Sequence, residues 1–449
     1  MTEKLSPFSL QNIRLFILFR VFFNARFYYP VFTILFLDYG LSIEQFSLLN
    51  TVWAFTIVLA EVPSGALADL IGRKRLMIST AWLMLFEMAT IAFVPLGNST
   101  IIFTAFFINR VLSGLAEAMA SGADEAMAYD TLVETGLEKQ WPKVLDYQMR
   151  AQHLGYIIAM TIGAMAYDAG MVNRLLGWLG SDVQLSQQIT MRFPVYLTLV
   201  LAFFSMLITT RMRDPLVQAD HAAPKEKASI LQVFTMVLRA GGWIVRTPFV
   251  LAVILFAMVI DHVMRMLVTM TSQYFRLISL PEASFGVIGS AVAVLGLFVP
   301  GIARVMANRF SAGINAAVLI IFSLIALFLL TLFIPFWGIL PVMMLFICLT
   351  MTSFFTSHYL NELTSSEKRA TVLSFKGMAY NVAYGMTGVL YAGLITHLKA
   401  KYAQLYPQWT GDMLGDAAFQ ASISWFPWYM TGALVLVFLV CLPRMLVRN

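Results

Sequence analysis

The sequence predicts an all-α membrane protein of twelve spans, arranged as two pseudo-symmetric six-helix bundles with both termini cytoplasmic. Three observations lead there. Of 449 residues, 59% are hydrophobic and only 12% charged, where soluble domains hold about half and about a quarter. Apolar stretches of about 20 residues, long enough to cross the ~30 Å hydrocarbon core, recur almost from end to end. The loops between them alternate between basic and nearly uncharged, as the positive-inside rule requires of a multi-pass protein.

Taken in order, apolar runs broken by Gly, Pro and charge place spans near 12–37, 43–69, 75–97, 100–128, 145–168, 190–211, 247–274, 283–307, 312–335, 337–360, 368–396 and 424–445. Arg73-Lys74-Arg75, Lys139 with Lys143, Arg211 with Arg213, Arg304 with Arg309, and Lys368-Arg369 fall on one side, which is therefore expected to be cytoplasmic. The first span contains Arg20 and Arg26 and lacks a small-residue cleavage site, so it is read as retained rather than as a removable signal.

The longest basic connection, 212–246, divides the chain into expected units 1–211 and 247–449. Within it Ile230, Leu231, Val233, Phe234, Val237 and Leu238 recur at helical spacing, as in a helix lying on the membrane surface. A shift of 239 residues carries Arg26 onto Arg265, Leu41 onto Leu280 and Phe46 onto Phe285, which suggests duplicated halves.

Several function classes are not expected. Cys348 and Cys441 sit in apolar runs, where a structural role is the expectation rather than a disulfide or metal thiolate. The formal charge of +6 is spread over short loops and marks orientation, not a nucleic-acid surface. The sequence shows no phosphate loop, metal-ligand cluster or nucleophilic triad, so neither an enzyme nor a cofactor or ATP-driven pump is expected.

Between the second and third spans stands Gly65-Ala66-Leu67-Ala68-Asp69-Leu70-Ile71-Gly72-Arg73-Lys74-Arg75. This resembles the loop signature of the major facilitator superfamily: Gly, three residues, Asp, a basic residue, any residue, Gly, then a basic cluster. Leu70 is the one departure. With the six-plus-six layout, the resemblance covers the whole chain. Gly65 and Gly72 would allow close backbone approach at a sharp turn, and Asp69 would sit at the positive end of a facing helix. The resemblance makes that helix the eleventh span, whose start, Thr364-Ser365-Ser366-Glu367, reads as a capping box. Arg73 would pair with Asp124 or Asp130, and the set would latch the cytoplasmic side.

An ionisable group at mid-membrane is costly unless it is paired or lines a wet cavity. The fourth span holds Arg110, Ser113, Gly114, Glu117, Ser121, Asp124 and Glu125, with Ser113, Glu117, Ser121 and Asp124 near one face. Arg110 with Ser113-Gly114 resembles the fourth-span arginine motif of proton-coupled drug exporters, in which the cation tunes a proton-carrying carboxylate. The fifth span lacks the Gly-Pro motif typical of those exporters. At about 1.5 Å per residue, Arg20 and Glu117 lie at similar depth and are expected to pair. Arg26 lies nearer the middle, close to the level of Arg110, and Glu87 is a competing partner. In the second half Asp261, His262 and Arg265, then Lys376, Tyr380, Asn381 and Tyr384, are the polar lining candidates. Asp261 and Arg265, four residues apart on one face, are alternatively a self-contained pair. His153 and Arg150 are expected at the interface.

Glu117, Arg110, Asp124, Asp261 and His262 are therefore the expected proton-coupling set. Arg26, Arg265, Lys376, Tyr380, Asn381, Tyr384 and Glu87 are expected to bind substrate, and Gly65, Asp69, Gly72, Arg73 and Asp130 to gate. The expected protein is a monomeric secondary transporter in a bacterial inner membrane, exporting a small amphipathic or anionic compound against protons. A proton symporter importing an anionic metabolite is the alternative, and a receptor or scaffold that transports nothing is the alternative of another class.

Overall fold

The computed structural model describes residues 6–120, 123–215, 235, 239, 241–364 and 366–446, without the side chains at 62, 65, 66, 68–70, 366–371 and 444–446. Among the described residues the regular elements are helical. They are α1 (Gln11–Asn24), α2 (Phe32–Asp38), α3 (Ile43–Ile71), α4 (Arg73–Ala92), α5 (Ser99–Ala120), α6 (Ala123–Glu134), α7 (Trp141–Tyr167), α8 (Ala169–Trp178), α9 (Gln187–Thr190) and α10 (Phe193–Arg211). There follow α11 (Pro248–Thr269), α12 (Thr271–Leu277), α13 (Ser284–Arg309), α14 (Ala312–Leu330), α15 (Ile339–Leu363), α16 (Ser366–Leu405), α17 (Gly411–Ile423) and α18 (Phe426–Leu446).

Ten of the described helical segments are long and apolar enough to cross a membrane. An eleventh is added if α7, with the short turn before it, and α8 are one span bent by 87°. By length and composition alone, the described residues thus account for ten or eleven of the twelve expected spans. α16 falls outside the set: Gly377, Asn381, Gly385, Thr387 and Gly388 dilute its apolar character, and its small-residue face lies against α3 rather than lipid. α8 turns away at Asp168, whose carboxylate accepts from Met171 N–H at 2.8 Å, and leaves Trp178 81% exposed, as suits a helix along the membrane surface. The expected surface helix at 230–238 lies outside the described residues, except Thr235, which is helical.

The expected first span is broken. α1 ends at Asn24, and a 3-10 turn at Tyr29–Val31 leads into α2. Pro30 has no N–H to offer a continuous ladder. The seventh expected span breaks likewise at Met270, between α11 and α12. Backbone groups freed inside a membrane must find partners, and facing hydroxyls supply them: Thr198 Oγ1 accepts from Phe27 N–H at 3.1 Å, and Ser272 Oγ from Thr33 and Ile34 N–H at 2.9 and 3.2 Å.

Thr33 and Ser272 are 239 residues apart, so counterparts in the repeat touch. The same offset carries the bounds of α2 onto those of α12 and brings α3, α4 and α5 within a few residues of α13, α14 and α15. Between the repeats α3 packs along α16, and α7 along α13. Glycine permits the second contact: a Cβ at Gly286 would lie 2.2 Å from the Met160 carbonyl oxygen. Inside the first repeat, a Cβ at Gly163 would lie 1.8 Å from the Phe27 carbonyl oxygen, so the α7 backbone seats directly on the break in the first span.

Candidate functional site

Where the two breaks face one another lies a cavity of about 270 Å³ lined from both repeats, by Arg26, Arg110, Glu117, Tyr156, Arg265 and Tyr384 among others. A cavity of about 420 Å³ between α11, α14, α15 and α18 is lined almost wholly by apolar side chains and offers no charge to a solute. The charged cavity is therefore the candidate site.

Each arginine is placed by local structure. Arg26 occupies the break after α1, where its Nε donates to the Phe23 carbonyl at 3.2 Å and its Nη1 to both Glu87 oxygens at 3.0 Å. Arg26 is 3% and Glu87 0% exposed, so this is a buried, compensated pair. Glu87, the competing partner named above, thus takes Arg26. Arg20 is nearer the α1 start and contacts Asp124 at 3.2 Å and Glu125 at 2.8 Å. The expected Arg20–Glu117 pair does not form: Asp124 and Glu125, about two turns further along the chain, take Arg20 instead. Ser121, a member of the expected face from Ser113 to Asp124, lies outside the described residues.

Arg110 differs from the other two. It is 4% exposed, and its Nε and Nη2 donate to Asn109 Oδ1 at 3.0 and 2.7 Å. Asn109 in turn donates to the Glu87 carbonyl at 2.8 Å, which fixes its oxygen toward the guanidinium. The rings of Phe32 and Phe36 lie 5.3 and 5.5 Å from the guanidinium carbon. Among the described residues no carboxylate is within ion-pair distance of Arg110. Glu117, seven residues on, also lines the cavity and has no ion pair or hydrogen bond from its carboxylate among the described residues.

From the second repeat, Arg265 donates to Asp261 at 2.7 Å, Asn381 Oδ1 at 3.0 Å and the Tyr380 carbonyl at 3.1 Å, and stacks 4.6 Å from the centre of the Tyr384 ring. Asp261 and Arg265 thus satisfy each other. Lys376 lies 5.5 Å from the centre of the Tyr380 ring. His262 has both ring nitrogens engaged, by the Met258 carbonyl at 2.6 Å and the Tyr429 hydroxyl at 2.9 Å, and does not line the cavity.

One end of the cavity is closed by contacts between the repeats. Arg276 donates to both Asp38 oxygens at 2.8 and 2.9 Å and to Glu282 at 2.6 Å. Tyr167 donates to Asp38, and Gln187 to Glu282 at 3.2 Å. Lys399 pairs with Glu44 at 2.8 Å. Burial holds the Glu282 carboxyl above the usual glutamate range, against the opposing pull of Arg276. Sequence reading missed this cluster, whose members are ordinary loop-edge residues taken singly. The repeat offset was the available signal, since Asp38 and Arg276 are 238 residues apart and so nearly counterparts.

At the basic end Arg73 pairs with Asp130, not Asp124. Gly72 has φ +87°, which favours glycine, and Asp214 Oδ1 accepts from the N–H two residues on, of Lys74, at 2.9 Å. Gly65 lies within α3, while the Asp69 and Glu367 side chains and Ser365 lie outside the described residues. Arg150 is exposed and pairs with Asp146 at 3.0 Å. Cys348 and Cys441 are both buried, and neither takes part in a disulfide.

The fold and the charged cavity between repeats are those of a transport protein, and the comparisons agree. The family model of the Major Facilitator Superfamily matches residues 15–388. The chain belongs to that superfamily. No curated protein matches it in sequence. Among solved structures it is similar to the nucleoside transporter NupG, at 14% identity and TM-score 0.68, over 96% of this chain and 98% of that one. It is also similar to a bacterial homologue of the human lysosomal transporter Spinster, inward-facing and unoccupied, at 15% identity and TM-score 0.69 over 98% of each chain. A D-xylose–proton symporter matches at 12% identity and TM-score 0.62, over 95% of this chain and 96% of that one. At these identities the likeness is of fold.

Proposed function

We propose that the protein is a proton-coupled secondary transporter of a small amphipathic or anionic organic compound, working by alternating access with residues 1–211 moving against 247–449. The observation that carries this reading is the cavity at the facing breaks, sealed at one end by Arg276 with Asp38 and Glu282 and holding one unpaired carboxylate, Glu117, among three arginines. Discontinuous helices at mid-membrane are where carriers place their sites. An intramembrane carboxylate without a partner is the group best able to load and release a proton. The superfamily match supports transport over the receptor or scaffold reading.

On this reading the sealed end is the non-cytoplasmic one, since the basic loops lie at the other. Arg73 with Asp130, and Asp69, form the latch of the opposite state. α16, together with the bent pair α7 and α8, completes twelve spans, and the molecule acts as a monomer in a bacterial inner membrane. Arg265, Asn381 and Tyr384 position the solute from the second repeat, with Asp261, Lys376 and Tyr380 behind them.

Purified protein in liposomes with an internal pH dye tests the reading: organic acids and amphipathic cations are added under an imposed pH gradient. Solute-dependent proton movement, lost in Glu117→Gln, is expected. Solute uptake that ignores the gradient, or that Glu117→Gln leaves unchanged, would sink it.

A further inference from the structure

The three cavity arginines are not equivalent, and the difference defines what the cavity holds. Arg26 is compensated by Glu87 and Arg265 by Asp261. Arg110 has neutral partners alone among the described residues, the Asn109 amide, the Tyr28 hydroxyl and two ring faces, at 4% exposure. A buried cation without a counter-charge is costly, and an entering anion relieves that cost. The guanidinium fork suits a carboxylate, which it engages in two parallel hydrogen bonds. Tyr28, Phe32, Trp53, Phe346 and Tyr384 supply aromatic walls, which favour a flat apolar body. The volume, about 270 Å³, falls just below the roughly 300–1,000 Å³ of ordinary ligand sites, so the solute is small.

The second half of the inference is an account of charge. Once the two compensated arginines are set aside, the lining carries Arg110 and Glu117 alone. They lie seven residues apart on one helix, about 10 Å along its axis, with Ser113 between them on the lining. The charges around Glu117 on neighbouring helices are Arg20 and Arg26 from the first span and Glu87 from α4, already engaged with their own partners. On α3 Glu61 faces Gly377 of α16, and Lys376 covers the Tyr380 ring; none of these four lines the cavity. With Glu117 ionised, the empty lining is neutral. A bound carboxylate makes it negative by one charge unless Glu117 takes up a proton.

We propose that Arg110 receives the carboxylate of a small aromatic monoanion and that Glu117 takes up one proton as it binds, so that anion and proton travel in the same direction. This rests on the transporter reading and narrows it to electroneutral symport. It therefore reverses the export expected from the fourth-span motif.

Indole-3-acetate and benzoate, with their uncharged amides, are the probes, titrated calorimetrically into the full-length protein in detergent at pH 7. The acids are expected to bind at least about tenfold more tightly than the amides, a gap that Arg110→Gln closes and Arg110→Lys partly keeps. In weakly buffered solution about one proton is taken up per acid bound, and none in Glu117→Gln. Amides that bind as well as acids, or acids that all bind more weakly than about 1 mM, overturn the anion site. Acid binding without proton uptake overturns the coupling. Both wild-type readouts stand even if Arg110→Gln does not fold. Selective binding with proton uptake but no flux in liposomes leaves this site in place and removes the transporter reading instead.

Discussion

Among single residues, the physics is dominated by which buried charges are compensated. Arg26 and Glu87 are both almost fully buried and joined through both carboxylate oxygens. Removing one partner strands the other. Arg26→Gln is expected to destabilise the protein by about 3–5 kcal/mol, whereas Arg26→Met with Glu87→Leu loses far less, because no orphaned charge remains. Thermal unfolding in detergent checks this, and a single variant as stable as the double one would contradict it. Much of this pairing was legible in the sequence. Depth along a helix brought Arg26 and Glu87 to one level, and four-residue spacing joined Asp261 to Arg265. What misled was pairing Arg20 with Glu117 by depth alone. Asp124 and Glu125, further along the chain, take Arg20, and among the described residues Glu117 is left without an ion-pair partner. On the proposed reading, that freedom suits Glu117 to carry a proton.

Among helices, the breaks and the small-residue contacts carry the argument. Most helix positions follow from apolar runs, because lipid demands a long continuous apolar surface. The broken first and seventh spans did not show in those runs, since hydropathy is blind to a backbone turn whose freed N–H groups are met by Thr198 and Ser272. The repeat offset, found from Arg26 and Arg265, extends to the bounds of α2 and α12, so a break read in one half would have foretold the other. The α7–α13 contact depends on Gly286 lying against the Met160 backbone. A leucine there wedges the repeats apart on the sealed side. Gly286→Leu is therefore expected to shift the population away from this state, with Ser290, now 3.0 Å from Thr161, becoming more reactive as Ser290→Cys toward a membrane-impermeant maleimide. Unchanged labelling would show that the contact is not needed to hold the sealed state.

At the scale of the whole molecule, the sealed end couples the repeats to pH. Glu282 is shared by Arg276 and Gln187 and sits near Asp38 and Asp168; burial raises its carboxyl above the usual range in the sealed state. Once the repeats part, water solvates it and the ordinary value returns. Between those two values the sealed state binds more protons than the parted one, so lowering the pH through that window favours sealing. The effect vanishes above the raised value, where Glu282 is ionised in both states. Arg276→Gln acts in the opposite sense at neutral pH, because it leaves the carboxylates of Asp38 and Glu282 facing each other without a cation. Spin labels replacing the exposed Trp178 and Met413, in a background with Cys348 and Cys441 changed to serine, would report the separation by electron–electron double resonance. Acid is expected to enrich the short distance in the parent and to do nothing in Glu282→Gln, while Arg276→Gln enriches the long distance at pH 7. A parent protein that parts as the pH falls would mean that Glu282 is held mainly by its ion pair with Arg276, and that this end opens rather than seals when protons are plentiful.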